Sequence, residues 1–225
     1  MSAAPDEPRS DASPAYLAPY ADAVRTHGAS FEATLWASKE KQVGRFAVIA
    51  EMADLTGRVI VDAGCGLGDL AAFCEDRGIS YGRYIGLEAM GDMAKAGAER
   101  GLPEARFETV DFASETGCFE RLAKSDGFDL AVFSGSLNTF DPEHAFGVVK
   151  DAFRHAREGV VFNFLSAKNH ERNPIDPAPA KRFDPVWMLD RALALTPRVR
   201  FRQDYFDGHD ATISMMHSER ARTRG

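Results

Sequence analysis

Over the first 54 residues the apolar positions recur every three or four residues. Tyr16, Leu17, Tyr20, Ala23 and Val24 share one face of a predicted helix. Val43, Phe46, Ala47, Ala50 and Ala53 share a face of a second, which opens after Ser38 as its N-cap. From Gly57 the period changes. Short apolar runs predict strands at Arg58–Val61, Tyr84–Leu87, Arg106–Val110, Phe128–Phe133 and Val160–Leu165. Helical stretches fall between them, over Leu70–Cys74, through Met90, Met93 and Ala94, and after Asp141-Pro142, an N-cap followed by proline at the first helical position. The fifth run is apolar throughout except Asn163, as in a strand covered on both faces. A helix over Val186–Leu195 follows. Val199–Tyr205 and Ala211–His217 then lie close enough together to form an antiparallel hairpin at the edge of the sheet. Strand–helix alternation of this kind predicts a mainly parallel sheet with right-handed crossovers.

Length and composition place this pattern in one domain. The chain has 225 residues, 44% of them hydrophobic, and a formal net charge of −7. We expect a disordered tail over 1–14 and a single domain over 15–217. Within it, 15–54 form a helical cap and 55–165 a ligand-binding core. Residues 166–184 form a Pro-rich, charged lid loop, 185–217 a helix and hairpin, and 218–225 a basic tail. An acidic balance gives no nucleic-acid footprint. Three cysteines without C-x-x-C spacing fit a reduced, cytoplasmic protein. The N-terminal residues lack the apolar centre of a signal peptide, and no later stretch is long enough to span a bilayer.

The chemistry concentrates where the first strand ends, in Val61-Asp62-Ala63-Gly64-Cys65-Gly66-Leu67-Gly68-Asp69. Alternating glycines after a buried strand let a ligand approach the backbone at the carboxyl edge of a parallel sheet. A dinucleotide site reads G-x-G-x-x-G, but here Asp69 takes the place of the last glycine. A carboxylate there repels a pyrophosphate and tolerates a cationic ligand. The second strand ends in Glu88, placed to accept ribose hydroxyls, a feature shared with dinucleotide proteins. The third leads to Asp111-Phe112, an acceptor and a ring suited to an adenine. The fourth ends in Ser134-Gly135-Ser136.

Together D-A-G-C-G-L-G-D at 62–69, Glu88, D-F at 111–112 and F-D-L-A-V-F-S-G-S-L-N at 128–138 resemble the class I methyltransferases that use S-adenosyl-L-methionine (SAM). The likeness runs from about Trp36 to His217. It implies an α/β, Rossmann-like sheet of seven strands, the last antiparallel, with helices on both faces. By the same resemblance Gly68 belongs to the cofactor-binding loop, Asp62, Gly64, Gly66 and Asp69 hold the methionine part, Glu88 the ribose, and Asp111 and Phe112 the adenine. Ser134 and Gly135 line the cleft beside the sulfonium. The segment Trp36–Phe46 is similar to the N-terminal part of some bacterial members of undefined substrate, where Gln42 and Arg45 cover the cofactor and Arg45 pairs with its carboxylate.

This reading expects methyl transfer to a small-molecule acceptor, with S-adenosyl-L-homocysteine (SAH) as product, by a monomer or homodimer without nucleic-acid or membrane partners. Topology sends His144, His170 and His209 to the carboxyl edge, where a histidine near neutral pKa suits proton abstraction. His170, in the lid, is the first choice. No metal site is expected, because no ligand pair has motif spacing. The alternatives are an RNA or protein methyltransferase, an NAD-dependent oxidoreductase and a non-catalytic SAM-binding protein. Ser134–Asn138 lacks the Asn/Asp-Pro-Pro-aromatic signature of amino-directed nucleic-acid enzymes, and the glycine spacing disfavours NAD.

Overall fold

The structure is a computed structural model, and it describes residues 14–169 and 179–218. Helices α1 (Ala18–His27) and α2 (Lys39–Met52) precede the sheet. Strand β1 (Val59–Ala63), α3 (Asp69–Asp76), β2 (Arg83–Glu88), α4 (Gly91–Glu99) and β3 (Ala105–Thr109) form the first half. Next come α5 (Cys118–Ser125), β4 (Leu130–Phe133), α6 (Pro142–His155) and β5 (Gly159–Ser166). The chain then runs through β6 (Arg182–Phe183), α7 (Pro185–Leu193), β7 (Arg198–Arg202) and β8 (Asp210–Met216). Among the described residues no helix is long and apolar enough to cross a membrane.

Strands lie in the order β3-β2-β1-β4-β5-β8-β7, and the two-residue β6 adds to β5 alongside this path. Every pairing from β3 to β5 is parallel, whereas β8 runs antiparallel to both β5 and β7. The expected seven strands with the last reversed are therefore present, with β6 as a short addition. Strand order turns back between β1 and β4, so their helices leave toward opposite faces and open a crevice at the carboxyl edge.

Alternation along the strands divides the core into two layers. Ile60, Leu130, Val132 and Val161 face α2 and α3, where Ile49, Met52, Leu70 and Phe73 pack on them. Val61, Ala131, Phe133 and Phe162 point the other way, onto Phe119 of α5, Val149 of α6 and Met188 of α7. Period-two strands thus meet period-3.6 helices on both sides. The helical segment at 15–54 divides in this arrangement. Helix α2 is a full layer of the core, and only α1 with the turn Phe31–Thr34 stands over the carboxyl edge.

Local signals behave as their chemistry requires. Ser38 Oγ accepts the amide of Lys41, 3.2 Å away, and caps α2. Asp184 caps α7 by accepting from Val186 and Trp187. Asp141 sits at the N-cap of α6 before Pro142, but its carboxylate turns away to Lys181, 2.8 Å distant, and makes no cap bond. Helix α5, only eight residues long and amid polar side chains, docks through Cys118, Phe119 and Leu122, too few apolar positions to show a helical period in the sequence.

Candidate functional site

The crevice between β1 and β4 opens into a cleft enclosing about 840 Å³, part of it exposed to solvent. Nine sequence-predicted residues line it: Asp62, Gly64, Gly66, Glu88, Asp111, Phe112, Ser134, Gly135 and Gln42. The turn after β1 follows from its glycines. Gly64 has φ +80°, and a Cβ there would stand 2.4 Å from Ser136 Cβ, so the turn closes on the end of β4 only without a side chain.

Asp62 is buried at the floor. Its Oδ2 accepts the Tyr84 hydroxyl at 2.5 Å, while Oδ1 has no partner in the protein. Burial pushes this carboxyl up to about 7, Tyr84 draws it down, and the Glu88 and Asp69 charges raise it further. Glu88 accepts the amides of Gly66 and Met90, both at 2.9 Å, one on each oxygen. Burial raises its pKa against those amides. A carboxylate accepts at about four positions, so two remain toward the cleft. Asp111 already accepts from the Tyr16 hydroxyl (2.6 Å), Ser114 Oγ (2.7 Å) and the amide of Ala113 (3.1 Å), leaving about one.

Three expected residues are placed differently. Gly68, φ +76°, opens α3 and faces the Phe107 ring instead of the cleft. Asp69 is bound by Arg100 at 2.6 Å and by Gln42 Nε2 at 3.1 Å. Its charge is therefore balanced, and the repulsion of a pyrophosphate expected of it falls instead to Asp62, Glu88 and Asp111. Arg45 does not line the cleft. It is buried, ion-paired with Asp210 of β8, with its guanidinium 4.5 Å from the Trp36 ring centre. An arginine so committed is not available to a ligand carboxylate without leaving Asp210 buried with the His209 ring in place of its cation.

Neither His144 nor His209 lines the cleft. His144 is exposed, with its ring 4.9 Å from Phe140 and edge-on to Tyr16. His209 is buried with Nδ1 3.2 Å from Asp210 Oδ2. His170 lies outside the described residues, as do residues 171–178 of the lid segment. The remainder of that segment contains β6, whose Phe183 is buried against Phe164.

Several lining residues escaped the sequence reading. Tyr16, Leu17 and Tyr20 on α1 form the roof, and Trp36 lies against Gly135. Burial lifts the Tyr20 hydroxyl to about 12, with the Glu88 charge adding to it. The helical periodicity that predicted α1 did not reveal what its apolar face covers. One signal was available: a tyrosine inside an otherwise apolar strand, Tyr84, requires a hydrogen-bond partner, and the nearest strand supplies Asp62.

Parallel strands that reverse order at β1 and β4, a reversed strand beside β5, and a glycine turn flanked by acids together define the fold of class I SAM-dependent methyltransferases. No protein-family model matches the sequence, and no curated protein matches it. Solved structures do match. Magnesium protoporphyrin IX methyltransferase (ChlM) from Synechocystis PCC 6803 with bound SAM is similar at 15% identity and a TM-score of 0.55, over 80% of this chain and 79% of that one. A DhpI–SAM–HEP complex gives 14% identity and a TM-score of 0.63, over 92% of this chain and 100% of that one. The methyltransferase domain of bacterial CtHen1-CN gives 16% and 0.58, over 79% and 99%. These likenesses establish the fold.

Proposed function

We propose that the protein binds SAM in this cleft and transfers its methyl group to a small-molecule acceptor. The observation that carries the reading is electrostatic. Asp62, Glu88 and Asp111 line the cleft, no lysine, arginine or histidine does so among the described residues, and Asp62 Oδ1 is buried without a partner. Such a site suits a ligand carrying an ammonium and a sulfonium and opposes one carrying phosphates. Structural neighbours hold SAM, which supports the choice.

In this reading Asp62 Oδ1 accepts from the ammonium. The two remaining acceptor positions of Glu88 take the ribose hydroxyls. Asp111 and Phe112 receive the adenine, and Ser134 and Gly135 flank the sulfonium. Gln42, tied to Asp69, closes one wall. SAM supplies a methyl carbon already activated for in-line displacement. The contribution of the chain is to hold acceptor and methyl in line and to exclude water beneath α1. Alignment of that kind is worth ~7–11 kcal/mol. His170 is retained as the base for an acceptor that must lose a proton, on a lid carried between β5 and β6. An acidic chain and a roofed cleft favour a small acceptor over a polyanion.

Calorimetry with SAH, SAM and NAD tests the cofactor assignment. SAH and SAM are expected to bind, and Glu88→Ala to weaken them about 10–100-fold through lost charge-assisted hydrogen bonds. Tighter binding of NAD than of SAH refutes the reading. Incubation with methyl-labelled SAM, a metabolite extract and total RNA tests the acceptor class. Label is expected in the small-molecule fraction, and label in RNA or protein refutes that part.

A further inference from the structure

Strand β5 is buried at every position, and between Gly159 and Leu165 it carries one polar side chain, Asn163. A buried amide in such a strand is costly unless its donor and acceptor are used. Both are used here, and both on one short turn. Asn163 Oδ1 accepts the amide of Gly135 at 2.8 Å, and Nδ2 donates to Ser134 Oγ at 3.2 Å. Ser134 and Gly135 are the first two residues beyond β4, and both line the cleft. Gly135 has φ +73°, and the Trp36 ring stands where its side chain would be, 2.7 Å from an ideal Cβ. One amide therefore holds the turn, and the turn seats the indole that forms the adjoining wall.

We propose that Asn163 is a positioning residue of the cleft: by clamping Ser134 and Gly135 it sets the surface on which Trp36 and the reactive end of the cofactor rest. The inference rests on the SAM reading. A purely stabilising amide would satisfy the same hydrogen bonds, so stability and ligand response must be separated. Thr212 provides the control. It is the register partner of Asn163 on β8, is equally buried, and bonds the Tyr205 hydroxyl at 2.6 Å instead of the turn.

The experiment compares Asn163→Leu, Asn163→Asp and Thr212→Val in a Trp187→Phe background, in which Trp36 is the sole tryptophan. The measurements are urea stability, SAH affinity by calorimetry and Trp36 emission. Leucine removes both bonds. It is expected to lower SAH affinity about tenfold or more and to shift Trp36 emission before any ligand is added. Aspartate keeps an acceptor for Gly135, and the Ser134 hydroxyl can rotate to donate, so affinity should return to within about threefold of the parent. Thr212→Val should lose stability and leave affinity and emission unchanged. Where Asn163→Leu does not fold, Asn163→Ser, too short to reach Gly135, gives the same comparison. Equal affinity losses in the position-163 and position-212 variants, or unchanged Trp36 emission on loss of the amide, overturn the proposal. Failure of the parent to bind SAH refutes the SAM reading alone, because Trp36 emission in the ligand-free protein still reports the hold of Asn163 on the turn.

Discussion

Replacing Asp62 by asparagine should stabilise the free protein while weakening its hold on SAH. The carboxyl is lifted from an ordinary 3.8 to about 7, chiefly by burial. Below about pH 4 it is protonated in both the folded and the unfolded chain, and it costs nothing. From about pH 4 to about 7 the unfolded carboxyl ionises while the folded one keeps its proton. The native state then binds more protons, and stability falls as pH rises through that window. Above about pH 7 the loss is complete, at about 4 kcal/mol as an upper figure. Asparagine removes this loss and still accepts from Tyr84. It also places an amide nitrogen where Oδ1 lacked a partner, at a cost of about 1–3 kcal/mol. The net gain expected at pH 8 is about 1–3 kcal/mol, or about 2–4 °C in Tm per kcal/mol at this chain length. It should vanish by about pH 5. SAH affinity should drop about 10–100-fold at pH 8 with the loss of the ammonium's charged partner. Affinity in the parent should fall below about pH 7 and stay nearly flat in the variant. Thermal melts and calorimetry across pH 5–8.5 measure both. A variant less stable than the parent at pH 8, or one that binds SAH equally well, refutes the reasoning.

Two further outcomes test the frame around the cleft. Arg45→Met leaves Asp210 buried without its cation and should cost about 3–5 kcal/mol in urea unfolding, much of it recovered by adding Asp210→Asn; a cost below about 1 kcal/mol would show that the pair is not load-sharing. Gly68→Ala places a Cβ 2.5 Å from Phe107 Cζ at φ +76°, whereas Gly57→Ala at φ +70° meets open space. Chemical denaturation should show the first losing about 1–3 kcal/mol more than the second, and equal losses would mean that backbone strain alone decides.

The parts legible in the sequence are those whose physics is local. Strand and helix periods, the cap at Ser38, the glycine turn and the acids ending the strands act over a few residues, and each appears where its spacing placed it. The reversed last strand was also legible, because the two final strands are close in sequence and pair as a hairpin. The cleft's interior arrangement was not. Whether Arg45 met a ligand or Asp210, whether Asp69 was a free charge or the partner of Arg100, and which groups Asn163 would hold all depend on elements far apart in the chain. Periodicity assigns a side chain to a face and leaves the identity of its neighbour across that face undetermined. Charge and hydrogen bonding depend on that neighbour. Sequence alone therefore determined an α/β sheet with an acidic, glycine-lined ligand edge, and tertiary packing decided which of its polar groups remain free to bind.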